Sequence, residues 1–226
     1  MSQLPERNVD IVFCIDGTGS MTPCIDNVKR NALKFHDDLI DAVKADGSLV
    51  TGVRVKVIMF RDYKSDDDAM EISRFFELPD DETEFANYLA GITAHGGCGE
   101  DANGLEAMYF AMKSDWVTGP RDRQVIVVFA DTDALNIGRR ASYPGYPTEL
   151  TSKRDFIDTW EGVSQTGSLS DRLKRAVIFA PAGSNYEDLC QEMARSTFKS
   201  VDPGCGMADI DFASIVKTIS ASVSAK

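Results

Sequence analysis

The sequence predicts an α/β fold, a mainly parallel sheet sandwiched between two layers of helices. Three observations carry that reading. Short apolar, β-branched runs alternate with segments of helical period through most of the chain. Two of those runs, Val9–Ile15 and Gln124–Ala130, climb to an acid, Asp16 and Asp131, as fully buried strands do when they carry a polar residue to the sheet edge. No internal repeat points to a solenoid or propeller.

The elements follow in order. Val9–Ile15 is a buried strand. From Thr22 the period changes: Ile25, Val28, Ala32, Phe35, Leu39, Ile40 and Val43 share one helical face, with Thr22 as cap and Pro23 at the first position. Residues 45–48 (ADGS) close that helix. Thr51–Phe60 alternates, with Val53, Val55, Val57 and Met59 on one face, and is a strand. Lys64–Met70 is a charged turn whose three aspartates are expected in solvent. Met70–Leu78 is a further strand, and residues 79–92 carry acids in the first turn of a short helix. A glycine-rich loop runs into a helix from about Asn103. The strand Gln124–Asp131 precedes a long loop to about Thr151. A helix over Arg154–Glu161, a strand over Leu173–Pro181, a helix over Asn185–Arg195, a strand over Thr197–Val201 and a helix over Asp209–Val223 complete the chain. In such sheets the site lies beyond the carboxyl ends of the strands. Asp16, Asp62, Asp131 and the glycine loop at 96–101 all fall at that edge.

Size and composition bound the function. At 226 residues the chain fits one large domain, residues 1–226. The formal net charge of −12, with 36 acids against 24 bases, disfavours nucleic acid and anionic lipid and favours cations or basic partners. The five cysteines are odd in number and form no CxxC pair, as expected of reduced thiols. No apolar run reaches the length of a signal peptide or membrane span. A cytoplasmic location is expected.

The stretch Asp16-Gly17-Thr18-Gly19-Ser20 admits several chemistries. A haloacid-dehalogenase-type phosphotransferase would need its nucleophilic aspartate where Cys14 stands. The D-T-G-S pattern of aspartic proteases is interrupted by Gly17. No phosphate-binding G-x-x-x-x-G-K-[ST] loop occurs. A serine nucleophile would need a histidine base, and only His36, within the first helix, and His95, in the glycine loop, are available. A carboxylate with neutral hydroxyls and no softer donor is what a hard divalent cation selects. Asp16 would bring charge, Thr18 and Ser20 neutral oxygens, and Asp131 and Asp62 further charge, directly or through water.

With its long following helix, the motif closely resembles the metal-ion-dependent adhesion site of von Willebrand factor A (VWA) domains, D-x-S-x-S, with Thr18 in place of the first serine. Asp131 in VVFADTDA matches the later aspartate of that pattern. MFRDY (Met59–Tyr63) and GG…NGLEAM resemble an intracellular subgroup that includes VWA domains near alpha-kinases and bacterial tellurium-resistance-like proteins. The second loop departs from that subgroup's G-G-G-D-x-P-E-N. Aligned without a gap, its aspartate becomes Gly99; a one-residue shift brings Glu100, and Asp101 is next in reach. Asp62 is expected behind the ion or steadying a neighbouring loop.

The resemblance implies a three-layer, Rossmann-like VWA fold with strand order 3-2-1-4-5-6 and one antiparallel edge strand. It implies a binding module and not an enzyme: one Mg²⁺ (or Mn²⁺ or Ca²⁺) recruits an Asp or Glu of a protein partner. It implies a kinase, phosphatase or AAA+ ATPase in a bacterial stress or defence system as that partner. The alternative is a metal-assisted phosphohydrolase using the same acids. The long loop 133–151 could rim the site and select the partner.

Overall fold

The computed structural model of the chain describes residues 4–97, 101–163, 169–205, 207 and 211–225. Its elements are β1 (Glu6–Asp16), α1 (Thr22–Ala45), β2 (Leu49–Phe60), β3 (Met70–Ile72), β4 (Phe76–Leu78), α2 (Glu82–Gly91), α3 (Gly104–Met112), β5 (Asp122–Phe129), α4 (Lys153–Trp160), β6 (Lys174–Pro181), α5 (Asn185–Glu192), β7 (Ser196–Val201) and α6 (Phe212–Ser224). The strands form one sheet in the order β3-β2-β1-β5-β6-β7, with β4 also on β2. The β1–β2, β1–β5, β5–β6 and β6–β7 ladders are parallel; β3 and β4 run antiparallel to β2. This is the expected three-layer α/β sandwich.

Both faces of the sheet are covered, so the central strands are apolar throughout. β5 and β6 are buried at every position. On one face Val53, Val55, Val57 and Met59 of β2 pack with α1, α2 and α6. On the other, Val12, Cys14, Ile58 and Phe60 pack with α3, α4 and α5. Each fully buried side chain of this kind contributes about 1.5–3 kcal/mol. That is ample reason for α1 to turn Ile25, Ala32, Phe35, Leu39 and Val43 inward and leave its charges outside.

Two local expectations are corrected. Met70–Leu78 is not one strand. Ile72 pairs with Ile58 and Phe76 with Val55, so the edge strand carries one residue more than β2 over the same span. The bulge is closed by Ser73, whose backbone N–H donates to the Val57 carbonyl and whose hydroxyl accepts from the Val57 N–H, both at 2.9 Å. Taken as one broken edge strand, β3 and β4 reproduce the implied order. Nor does Thr22 cap α1. The chain begins to coil one turn earlier, in a 3₁₀ turn at Gly19–Met21, and the Thr22 hydroxyl donates to the Gly19 carbonyl at 2.8 Å.

Candidate metal centre

From β1 the chain crosses to β2 on one side, whereas β5 lies on the other. The β1/β5 pair is therefore the point where the winding of the sheet reverses, and a crevice opens there. Ile15 is level with Phe129 across that ladder. Asp16 and Asp131 consequently leave adjacent strands within one residue of the same height. Both are completely buried. The Ser20 hydroxyl donates to Asp131 Oδ1 at 3.0 Å and stands 3.3 Å from the Thr18 hydroxyl. Thr18 N–H donates to Asp16 Oδ1 at 2.8 Å, and the Thr132 hydroxyl to Asp16 Oδ2 at 3.3 Å. Two carboxylates and three hydroxyls thus converge at the head of α1.

The electrostatics are those of a site holding surplus negative charge. Burial pushes the Asp16 carboxyl up to about 6; the Thr18 N–H and the Thr18 and Thr132 hydroxyls pull against this, while Asp131 adds to it. No base pairs with Asp16 among the described residues. An all-oxygen set of two acids and neutral hydroxyls fits a hard divalent cation and offers a softer metal nothing. Asp16, Thr18, Ser20 and Asp131 are therefore brought together. Thr132 joins them although no sequence signal singled it out beyond its place beside Asp131.

The remaining candidates are placed differently. Asp62 is buried, and both its oxygens are held by Arg140, at 2.5 Å from Nε and 2.8 Å from Nη2. Burial alone would raise its carboxyl, but Arg140, the Lys64 N–H and the Ser65 hydroxyl hold it below the usual range. Asp62 therefore ties the loop after β2 to the long loop 133–151, and with both oxygens on Arg140 it is not brought into the cluster of Asp16 and Asp131. Tyr63 makes the same connection from its hydroxyl to the Gly145 carbonyl at 3.1 Å. Asp101 is half-buried and lines an open cavity of about 540 Å³ with Asp133, Arg139, Arg140 and Asn185. Glu100 lies outside the described residues. Asp133 is not part of the cluster: one of its oxygens accepts from the N–H groups of Ala134 and Asn185, both at 2.7 Å.

Two residues assemble these loops, and sequence reasoning assigned a role to neither. Arg61 is 1% exposed and donates to the carbonyls of Gly17 (3.2 Å), Asp68 (3.0 Å) and Thr93 (3.0 Å). One guanidinium thereby fastens the metal loop, the acidic turn and the glycine loop. Asn103, fully buried, accepts from the Tyr63 N–H, donates to Glu106, and donates its own N–H to the Arg61 carbonyl. The available signal for Arg61 was a polar residue directly after an apolar strand, in MFRDY; for Asn103 it was its place at the end of the glycine-rich loop, directly before a helix.

The three aspartates of the acidic turn were expected in solvent, and only Asp67 is fully exposed. Asp66 accepts from the Asp62 N–H, and Asp68 meets Arg61 at 3.3 Å and His95 at 3.0 Å. Arg61 and the returning glycine loop draw them in. Asp66, Asp68 and His95 could together offer three donors to an ion. Over the site, the backbone runs through Gly96 and Gly97, both at φ +71°. A Cβ on Gly97 would stand 2.7 Å from the Thr18 Cβ, and one on Gly96 would meet the Asp66 carboxylate. The packing of this loop thus sets the position of Thr18. Cys14, where a phosphotransferase would need its nucleophile, faces the apolar core, and burial pushes its thiol far up.

No family model matches the chain, and no curated protein does. Solved structures do. The pilus adhesin SpaC of Lactobacillus rhamnosus GG matches with a TM-score of 0.55 and 12% identity over 96% of this chain and 31% of its own. Its open conformation gives 0.52, 10%, 96% and 30%. A von Willebrand factor type A protein of Catenulispora acidiphila gives 0.52 and 13% over 94% of this chain and 42% of its own. The chain thus spans less than half the length of the structures it matches. At these identities the likeness is one of fold, and that fold is the VWA fold. No helix among the described residues is long and apolar enough to cross a membrane.

Proposed function

We propose that the chain is a metal-dependent protein-binding module. Asp16, Thr18 and Ser20 hold one divalent cation, Mg²⁺ before Mn²⁺ or Ca²⁺, with Asp131 as a direct or water-mediated ligand. The observation that carries this is the pair of fully buried carboxylates linked in a chain, Asp131 to Ser20 to Thr18 to Asp16, at the reversal point of the sheet. Glu100 or Asp101 serves from the second loop. When bound, the cation supplies an electrophilic position that few protein charges quench, and an Asp or Glu of a partner protein completes its coordination. The chain's own residues orient that approach. Arg61 fixes the metal loop, and the Asp62–Arg140 pair fixes the rim that selects the partner.

A kinase, phosphatase or AAA+ ATPase of a bacterial stress or defence system is the partner class proposed, in the cytoplasm. The neighbours' names support adhesion through this fold: the SpaC structures are of a pilus adhesin. The phosphohydrolase alternative has no observation in its favour. Cys14 is turned into the core, and His95 is held by Asp68.

Calorimetry tests the reading. Mg²⁺ binds saturably to the wild type, Asp16→Ala abolishes binding, and co-purification of the partner is lost with it. Equal Mg²⁺ binding by wild type and variant ends the proposal.

A further inference from the structure

A large cavity lies away from the metal centre. It is an open groove of about 790 Å³ between β7, at the edge of the sheet, and α6. Its lining sets it apart in this acidic chain. Arg175, Arg195, Lys199 and Lys217 face it, six serines and threonines accompany them, and among the described residues no acid lines it. Elsewhere the bases are mostly spoken for: Arg54 by Asp10, Arg61 by Asp68, Arg74 by Asp81 and Glu84, Arg140 by Asp62, Lys174 by Glu161 and Asp171. Among the described residues none of the four groove cations makes an ion pair within 4 Å; Arg195 feels the Asp171 carboxylate only at longer range.

Ordinary structural duties account for part of this. Arg175 donates to the carbonyls of Ser222 (3.2 Å) and Ala225 (3.0 Å), and Arg123 beside it to Val223 (3.0 Å) and Ala225 (3.3 Å). Together they close the carbonyl end of α6. A lysine on an edge strand, as Lys199 is, guards that edge against pairing. Arg195 and Lys217 have neither duty. Nor does the face of α6 that carries Lys217 follow the rest of the surface. Ser214, Lys217, Thr218, Ala221 and Ser222 recur at helical spacing toward the groove, and the thirteen residues of α6 hold one cation and no acid. Excess positive charge accumulates as a result: burial, then Arg7, Arg175 and Arg195, push the Arg123 guanidinium down to about 10.

We propose that the groove between β7 and α6 is a second, metal-independent binding site, for a ligand bearing a chain of phosphates. Arg195, Lys199 and Lys217 neutralise the anion from three positions, with Arg175 beneath them, and Thr197, Ser200 and Ser222 supply neutral hydrogen bonds to phosphate oxygens. This is independent of the metal centre, whose loops lie at the carboxyl ends of β1 and β5. Arg175, by contrast, is the second residue of β6, and Arg195 directly precedes β7.

Calorimetry with tripolyphosphate and with ATP, both in EDTA, tests it. Tripolyphosphate binds saturably and with an affinity that falls as salt rises. Equal binding of the two assigns the phosphate chain alone, and tighter binding of ATP assigns a nucleotide. Lys199→Glu/Lys217→Glu, both exposed positions, weakens binding more than tenfold with an unchanged thermal midpoint. Arg195→Asn, which keeps a residue tolerant of the φ of +62° found there, weakens it several-fold. Asp16→Ala binds as the wild type. Failure of both anions to bind, or unchanged affinity in the double variant, overturns the proposal.

Discussion

Asp16 and Asp62 leave neighbouring strands at the same edge of the sheet, and both are buried, yet the protein treats them oppositely. Asp62 is answered in full: Arg140 grips both oxygens, and its carboxyl sits below the ordinary range. Asp16 is answered by hydroxyls and one N–H, faces a second carboxylate, and is pushed up to about 6. A buried charge costs several kcal/mol unless it is paired. Asp62 is therefore a fastening, complete within the chain. Asp16 is a buried charge that no base within the described residues answers, and on the proposed reading that difference separates the structural acid from the functional one.

The difference can be broken from the fastening side, with the largest effect. Arg140→Ala leaves Asp62 buried without its cation, held only by the Lys64 N–H and the Ser65 hydroxyl, and removing one partner of a buried pair costs about 3–5 kcal/mol. Urea unfolding should lose that much, and the loop 133–151 should become more open to proteolysis. Mg²⁺ binding should survive wherever the variant is folded, because Asp62 does not touch Asp16. A loss below about 1 kcal/mol would mean that the pair is no more than a surface bridge.

pH sharpens the contrast, because the two acids tilt stability in opposite directions. The folded form of Asp62 holds fewer protons than the unfolded chain. Its contribution is present above the ordinary carboxylate value near 4 and is lost as pH falls through its lower folded value. Asp16 holds more protons folded than unfolded between about 4 and about 6, so stability falls as pH rises across that window. A displacement of this size corresponds to about 3 kcal/mol at most. Denaturant melts of the metal-free protein, in EDTA, should show this decline, and Asp16→Asn should flatten it while leaving the acid limb in place. A decline that persists in Asp16→Asn would assign it to another group.

How much of this could be read from the chain depends on the distance over which each feature is determined. β1, α1, β2 and β5 were legible because their patterns are local and strong, and Asp16, Thr18 and Ser20 because they are contiguous. Asp131 needed the pairing of β1 with β5, which only the resemblance to VWA domains implied. The Asp62–Arg140 pair joins residues 78 apart, and nothing in the neighbourhood of either announces the other. Asp68 read as solvated because the sequence shows an acidic turn and hides the buried Arg61 that reaches it. The bulge at Ser73 escaped for a similar reason. A register mismatch belongs to two strands and to neither sequence alone.

The smallest effect concerns the neutral side of the metal centre, where the glycine loop touches Thr18. Gly97→Ala places a side chain at φ +71°, where L-residues lose about 1–2 kcal/mol, and sets its Cβ 2.7 Å from the Thr18 Cβ and 2.8 Å from its Cγ2. The Thr18 Cβ is fixed by the backbone and cannot swing away, so Thr18 must move and its hydroxyl with it. Gly47→Ala is the matched control. It carries the same kind of backbone penalty, at φ +86°, after the end of α1, with nothing within 4 Å of the added methyl. Gly47→Ala should therefore lose only the backbone penalty and Gly97→Ala that penalty plus the cost of displacing Thr18, and only Gly97→Ala should weaken Mg²⁺ binding. If calorimetry gives both the same affinity as the wild type, Thr18 is not a ligand, and the neutral oxygens of the site reduce to Ser20 and Thr132.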